Sequence, residues 1–434
     1  MDESATSPGP RGDAHHASYV PRLSIAERDR RWSLIRERMA VEGLECLLII
    51  GNDSHWDMGM ANMRYVTHIG SKTDAIAIFP LEGEPIVWTQ LRMQHIPSGS
   101  RYLHTQDWVR DIRPISGPAP IVGVLREKKY DRGKIGLVGM KSPIMTDIVP
   151  WSTYEYFRKG LPDATFVDAT ILVEYLRIIK SPEEIAMLEK AGGLARKMVD
   201  TLIASAEPGT KECELYANMI HTEISNGGEP VIFNLLSSGP VSGPAGNRHL
   251  LHGSEQPAVP SMRTLGMGDL VITEFHASWA GYLAAAEFSV FIGKAPGELK
   301  RIHDVSVQCL ERLIEKMRPG NTLREVWEAE REPCYRAGMD FVELGFHGHG
   351  LASPEHPIVV YELGASDASP TMTGEKIGDL LIREDMVFGM NIDIHDPRWN
   401  KDVGLMLGDT LHVTKNGARL LVNIPLDFPQ KALG

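Results

Sequence analysis

Residues 268–293 read GDLVITEFHASWAGYLAAAEFSVFIG, two long apolar runs meeting at a Gly-Tyr turn, Gly281 and Tyr282. β-Branched and aromatic side chains recur in both runs, so the stretch reads as a pair of strands. Two more strand regions follow, REDMVFGMNIDIHD at 383–396 and VGLMLGDTLHVTKNGARLL at 403–421. Amphipathic helical runs alternate with these strands: KECELYANMIHTEISNGG before the first pair, then GELKRIHDVSVQCLERLIEKMRPG and LREVWEAEREPCYRAGM after it. Strands that arrive in pairs, with helices set apart, predict an α+β domain built on an antiparallel sheet.

Upstream, LRIIKSPEEIAMLEKAG (176–192) opens this domain with strong local signals. Ser181 is placed to cap a helix, Pro182 suits its first turn, and Glu183 and Glu184 complement its dipole. Before it the pattern differs. An amphipathic helix, SIAERDRRWSLIRERMAVEGL, precedes short strands in ECLLII, DAIAIFP, EPIVWT, KIGLVGM and ATFVDAT. This predicts a smaller mixed α/β domain over 24–175, a second domain over 176–434, and a disordered polar tail over 1–23.

Composition narrows the function. The 434 residues are 43% hydrophobic and 24% charged, as expected for a soluble globular protein of about two domains. A net charge of −12 without a basic block argues against nucleic acid. Cys46, Cys213, Cys309 and Cys334 form no CxxC pair, which fits a reducing, cytoplasmic setting. No apolar run reaches the roughly 18 residues of a membrane span, and no signal-peptide pattern opens the chain.

Chemistry concentrates in FHGHGLASPEHP, 346–357, where three histidines are spaced by glycine and proline. Such a run is no stable helix. It is either a surface loop or a metal or proton-transfer site, since imidazole serves both chemistries. Another stretch, HWDMGMANMRY (55–65), carries Trp56, Met58, Met60 and Met63 and reads as an apolar lid or interface, or as a local core.

Four segments together resemble the creatinase/aminopeptidase family, whose pita-bread fold is shared by methionine aminopeptidases, prolidases and creatinase. They are LRIIKSPEEIAMLEKAG, the 268–293 strand pair, GHGLASPEHP with His349 and His356 seven apart, and the two later strand regions. The resemblance spans residues 25 to 425. It implies a pita-bread domain behind a creatinase-like N-terminal domain, and a homodimer in which one chain closes the other's site.

In the metalloenzymes of this family two aspartates, a histidine and two glutamates hold two divalent ions. At those positions this chain has Glu274, Ala285, His349, Asn391 and Gly408. Only the histidine is kept, so the resemblance implies that the metal is lost and no cofactor is needed. A relocated site is the alternative, because Asp393 shares the strand face of Asn391, whereas Asp409, beside Gly408, faces away.

Creatinase itself works without metal, and its substrate-binding glutamate lies six residues past the turn glycine. Glu287 stands at that offset within LAAAEFSVF. A carboxylate there is costly to bury without a cationic or hydrogen-bonding partner, either a substrate or an arginine of the chain. Creatinase's proton-transfer histidine lies in the preceding loop, where this chain offers His249 and His252, with HGSEQP favouring His252. His276 points to the same face as Glu274. Tyr282, Asn391 and Asp393 complete the candidate substrate-binding set, and the pair His395 and Asp396 is a strand end or a cavity wall. The arginines that grip creatine are not matched, Lys72 and Thr73 standing in their place, so creatine is not the expected substrate.

The resulting expectation is a metal-independent hydrolase of a C–N bond in a small polar substrate. His252 or His349 would activate water, His356 would carry the proton to the leaving nitrogen, and Glu287 would anchor a cationic or amide group. Three rivals stand: a metal-dependent Xaa-Pro dipeptidase using Glu274, Glu287, His349 and Asp393, a silent binding protein, and a lyase.

Overall fold

The computed structural model describes residues 21–52, 58–70, 74–89, 107–140, 148–231, 233–242, 261–359 and 374–431. The first domain carries a six-stranded sheet of order β4-β3-β2-β1-β5-β6. Its strands are β1 (Cys46–Gly51), β2 (Ala75–Pro80), β3 (Ile86–Thr89), β4 (Asp111–Pro114), β5 (Lys134–Val138) and β6 (Thr165–Asp168). β1 runs parallel to β5 and antiparallel to β2. Every residue of β1 is buried, because the sheet is covered on both faces. Leu47 and Ile49 enter one apolar cluster, and Cys46, Leu48 and Ile50 the other. The helices are α1 (Ile25–Glu42), α2 (Ala61–Thr67), α3 (Ala119–Glu127), α4 (Trp151–Gly160) and α5 (Thr170–Leu176).

One detail corrects the sequence expectations. Leu23 is buried and Trp108 donates to its carbonyl at 3.2 Å, so ordered structure begins ahead of α1, inside the expected tail. Met60 and Met63 are buried with Tyr65 and Val66 in the domain core, the local-core alternative of the two readings of that stretch. Trp56 and the Met58 side chain lie outside the described residues.

The second domain is the expected antiparallel α+β structure. β8 (Asp269–Trp279) and β9 (Tyr282–Ile292) form a hairpin flanked by β7 (Leu235–Pro240) and β16 (Gln430–Lys431). Its two-residue turn puts Ala280 at φ 55° and Gly281 at φ 80°, the left-handed pair that matches the twist of the strands. A second sheet has the order β11-β10-β12-β14-β15, with β13 also paired to β12. Its strands are β10 (Asp340–Gly348), β11 (Glu355–Val359), β12 (Val387–His395), β13 (Gly404–Leu407), β14 (Thr410–Thr414) and β15 (Gly417–Leu420). Reciprocal backbone bonds between Glu287 and Gly408, at 3.1 and 3.0 Å, join the two sheets into one curved layer. The helices α6 (Pro182–Ser205) and α7 (Glu212–Ser225) pack together, with α6 over β8 and β9, while α8 (Gly297–Lys316) and α9 (Leu323–Ala337) pack together, with α8 over β12 and β13. Ser181 caps α6 in a full capping box with Glu184, as its sequence predicts.

Candidate active site

The hairpin register places Glu274 opposite Glu287 and His276 opposite Ala285. Cross-strand partners point to the same face, so these four side chains share the surface turned toward β12. Glu287 is 2% exposed. Its Oε1 accepts from the Asn391 amide at 2.6 Å, and its Oε2 from the Ile392 backbone N–H at 3.3 Å. Asp393, two residues along β12, stands near enough to Glu287 for the two carboxyls to disfavour each other's ionisation. Two buried carboxyls so placed titrate as a pair, and the first charge opposes the second.

Burial raises the pKa of Glu274, Glu287 and Asp393 well above the carboxylate range, and neighbouring acids raise it further. Glu343 of β10 adds its field to all three. Four acidic side chains therefore act on one another in this corner. Gly408 makes the arrangement possible, since an added Cβ would lie 2.2 Å from the Met390 carbonyl and 2.9 Å from Glu287 Oε2. The carboxyl of Glu287 fills the space that a side chain at 408 would need.

Beside the acids stands a stack of imidazoles. His276 and His349 lie 5.8 Å apart and almost coplanar in orientation, at 6°, and His347 lies 5.8 Å from His349 on a 27° tilt. Gly389 leaves room for them: a Cβ there would sit 2.7 Å from His347 Cε1 and 2.9 Å from His349 Nδ1. Burial lowers the pKa of His276, His347 and His356 to about 4 in each case, and that of His349 well below the usual value. All four rings are neutral at pH 7. His276 is held at both nitrogens, Nδ1 by the Phe233 carbonyl at 2.9 Å and Nε2 by the Ser353 hydroxyl at 2.8 Å. His347 Nδ1 bonds the Gly348 carbonyl at 3.0 Å. Neither ring nitrogen of His349 or His356 completes a hydrogen bond among the described residues; the His349 ring lies in the stack, and the His356 ring lies against Tyr175.

The structure thus gathers Glu274, Glu287, His276, His349, Asn391 and Asp393, as their positions in the sequence suggest. His356 lies next along the 349–356 loop, tilted against Tyr175 at 6.3 Å. Tyr282 is elsewhere: its hydroxyl accepts from Arg31 at 2.8 Å and donates to Glu184 at 3.0 Å, a domain contact that takes it out of the substrate-binding set. Asp396 is likewise no cavity wall, being held by Arg301 and by Arg398 at 2.9 Å in the turn after β12. Asp409 does face away, accepting from the Val422 and Ile424 N–H groups at 3.0 Å each. His249, His252, Lys72 and Thr73 fall outside the described residues. Glu343, His347 and Ser353 are site residues that the sequence reading passed over.

Comparison with known proteins fits this geometry. Residues 186–415 match metallopeptidase family M24, and residues 31–179 match the creatinase/prolidase N-terminal domain. The chain belongs to metallopeptidase family M24. It is a hydrolase of that family, which removes the silent binding protein from the rivals. Xaa-Pro dipeptidase of Pyrococcus horikoshii is 27% identical over 303 residues, covering 69% of this chain and 78% of the relative. Ectoine hydrolase of Halomonas elongata is 24% identical over 421 residues, covering 91% of this chain and 95% of the relative. Among solved structures, X-Pro aminopeptidase from Thermotoga maritima superposes with a TM-score of 0.72 at 18% identity, over 92% of this chain and 99% of that one. That likeness is one of fold.

Family M24 carries metal in its name, so the donor set must be tested for a pair of divalent cations. Ala285 and Gly408 offer no donor, and backbone blocks any side chain at 408. The Asn391 amide is turned to Glu287, and among the described residues no three of His, Cys, Asp and Glu converge as ligands. The donor set does not fit.

Proposed function

We propose that this M24 chain is a metal-independent hydrolase that cleaves a C–N bond of a small cationic or amide-bearing substrate. The observation that carries this reading is the cluster of Glu274, Glu287, Glu343 and Asp393 facing a stack of neutral imidazoles. A cation entering the cluster would meet carboxyls whose ionisation burial and mutual repulsion oppose, and its charge would favour their ionised forms. Glu287 anchors the cation, with Asn391 fixing the orientation of its carboxyl. His349 or His252 activates water, and His356 passes a proton to the leaving nitrogen, the rings of His349 and His356 being neutral. The full-length likeness to ectoine hydrolase supports a substrate of this size, because it runs through both domains. A homodimer closing the site from a second chain belongs to the same reading, and sedimentation at micromolar concentration checks it: a monomer would remove it.

The experiment is a hydrolysis screen of small cationic amides and amidines, with ectoine and Xaa-Pro dipeptides in the panel. Turnover of the cationic compounds, lowered in Glu287→Gln, is expected. The likeness to Xaa-Pro dipeptidases favours one other reading, a metal-dependent dipeptidase with Glu274, Glu287, His349 and Asp393 as altered ligands. Chelator-sensitive cleavage of Xaa-Pro dipeptides alone would establish it instead.

A further inference from the structure

We propose that Ser353 is a nucleophile of this enzyme, with His276 as its base and the Phe233 carbonyl as the group that orients the base. The inference rests on the reading of the chain as a C–N hydrolase and assigns that reaction a covalent first step. Ser353 Oγ lies 2.8 Å from His276 Nε2, and His276 Nδ1 lies 2.9 Å from the Phe233 oxygen. A carbonyl only accepts, so Nδ1 carries the ring proton. Nε2 is then left with a lone pair facing the serine hydroxyl. Nucleophile, base and orienting acceptor follow one another at hydrogen-bond distance, the arrangement that activates a hydroxyl in unrelated hydrolases, with a backbone carbonyl here in the orienting place.

The surroundings support more than a satisfied core histidine. Asn234 Oδ1 accepts from the His276 backbone N–H at 2.8 Å, while its own amide donates to the Val231 carbonyl at 3.1 Å. The segment that supplies the orienting carbonyl is therefore pinned to the strand that carries the base. His276 shares its strand face with Glu274 and Glu287, and its ring stacks on His349. The serine hydroxyl thus meets the imidazole at the edge of the acidic corner where the cation is anchored.

In the first step Ser353 Oγ bonds to the carbon of the scissile C–N group as its proton moves to His276 Nε2. The C–N bond breaks, and His276, taking the place given above to His356, returns that proton to the departing nitrogen. Water then attacks the ester carbon, its proton taken by His349. The ester C–O bond breaks, and that proton returns to Ser353 Oγ. One water is consumed, and no oxidant or reductant is required.

The full-length protein incubated with diisopropyl fluorophosphate tests this without any known substrate. Peptide mass mapping is expected to find the adduct on Ser353, and Ser353→Ala to lose it while keeping its thermal midpoint. In the hydrolysis assay Ser353→Ala should lower turnover about a hundredfold or more. No adduct on Ser353 of the parent protein, or turnover of Ser353→Ala within about twofold of the parent, would overturn the assignment. Labelling of the parent does not depend on how any variant folds. A missing label with Glu287→Gln still impaired defeats the serine alone, whereas unimpaired Glu287→Gln defeats the cation reading whatever the label shows.

Discussion

Glu287 meets an amide, a backbone N–H and a second carboxyl, with no arginine or lysine among those partners. Its apolar sequence context asked for a cationic or a hydrogen-bonding partner, and among these partners the chain supplies donors but no cation. Glutamine keeps the shape of a protonated glutamate, accepting from Asn391 and donating toward Asp393. Glu287→Gln should therefore hold its thermal midpoint and lose about ten- to a hundredfold in turnover efficiency, through a charge-assisted contact worth roughly 1.5–3 kcal/mol. Thermal midpoint and turnover measured on one preparation check this. A destabilised variant with normal turnover per folded molecule would make Glu287 structural.

The two strands β9 and β12 meet at Gly408, and the site depends on that crossing having no side chain. Gly408→Ala would push a methyl to 2.2 Å from a backbone oxygen and against Glu287, so the strands must part. A loss of about 1–3 kcal/mol is expected, read as a lower denaturant midpoint, together with weakened turnover. Wild-type stability in that variant would show that the crossing is looser than described. This element also marks what the sequence could reveal. The family resemblance marks Glu274, Glu287 and Asn391, and strand alternation then finds Asp393 from Asn391. Counting back in twos from His349 reaches His347, whereas Glu343 lies in the irregularity between Phe341 and Leu344, where alternation no longer gives the face. Ser353 carried no such signal. Its partner His276 is 77 residues away, and only the closing of the 349–356 loop over β8 brings them together.

Between the domains, buried charge ties the whole molecule to the site. Glu355, the neighbour of His356, is gripped by Arg177 and by Lys180 at 2.6 Å, and Arg177 also bonds Asn62 of α2 at 2.8 Å. Burial alone would raise the pKa of Glu355, and the two cations outweigh it. Glu174 lies in the same network, where burial lifts its carboxyl to about 7 against the pull of Arg177, and Glu355 and Asp168 lift it further. A carboxyl raised in the folded state binds its proton there more tightly than in the unfolded chain. Its destabilising contribution is therefore absent below about pH 4, grows as pH rises, and is complete above pH 7. Glu174→Gln should raise stability at pH 8 by up to about 2–3 kcal/mol, and the gain should vanish near pH 4. Denaturant midpoints across that range check the sign, and a gain that grew on acidification would contradict it. The mixed α/β part and the antiparallel α+β part were legible in the sequence because strand pairing and helix capping are local signals, and the pita-bread arrangement was what the family resemblance implied. Networks such as this one were not, because Arg177, Glu355 and Asn62 come from three distant segments. The central claim is that this acidic corner, unlike a dinuclear M24 centre, does its chemistry with protons alone. The most direct test is turnover of the small cationic or amide-bearing substrate by protein dialysed exhaustively against chelator, with metal content read on the same sample. Unchanged turnover at negligible metal is the predicted result, and activity that disappears and returns with one or two equivalents of a divalent ion would contradict it.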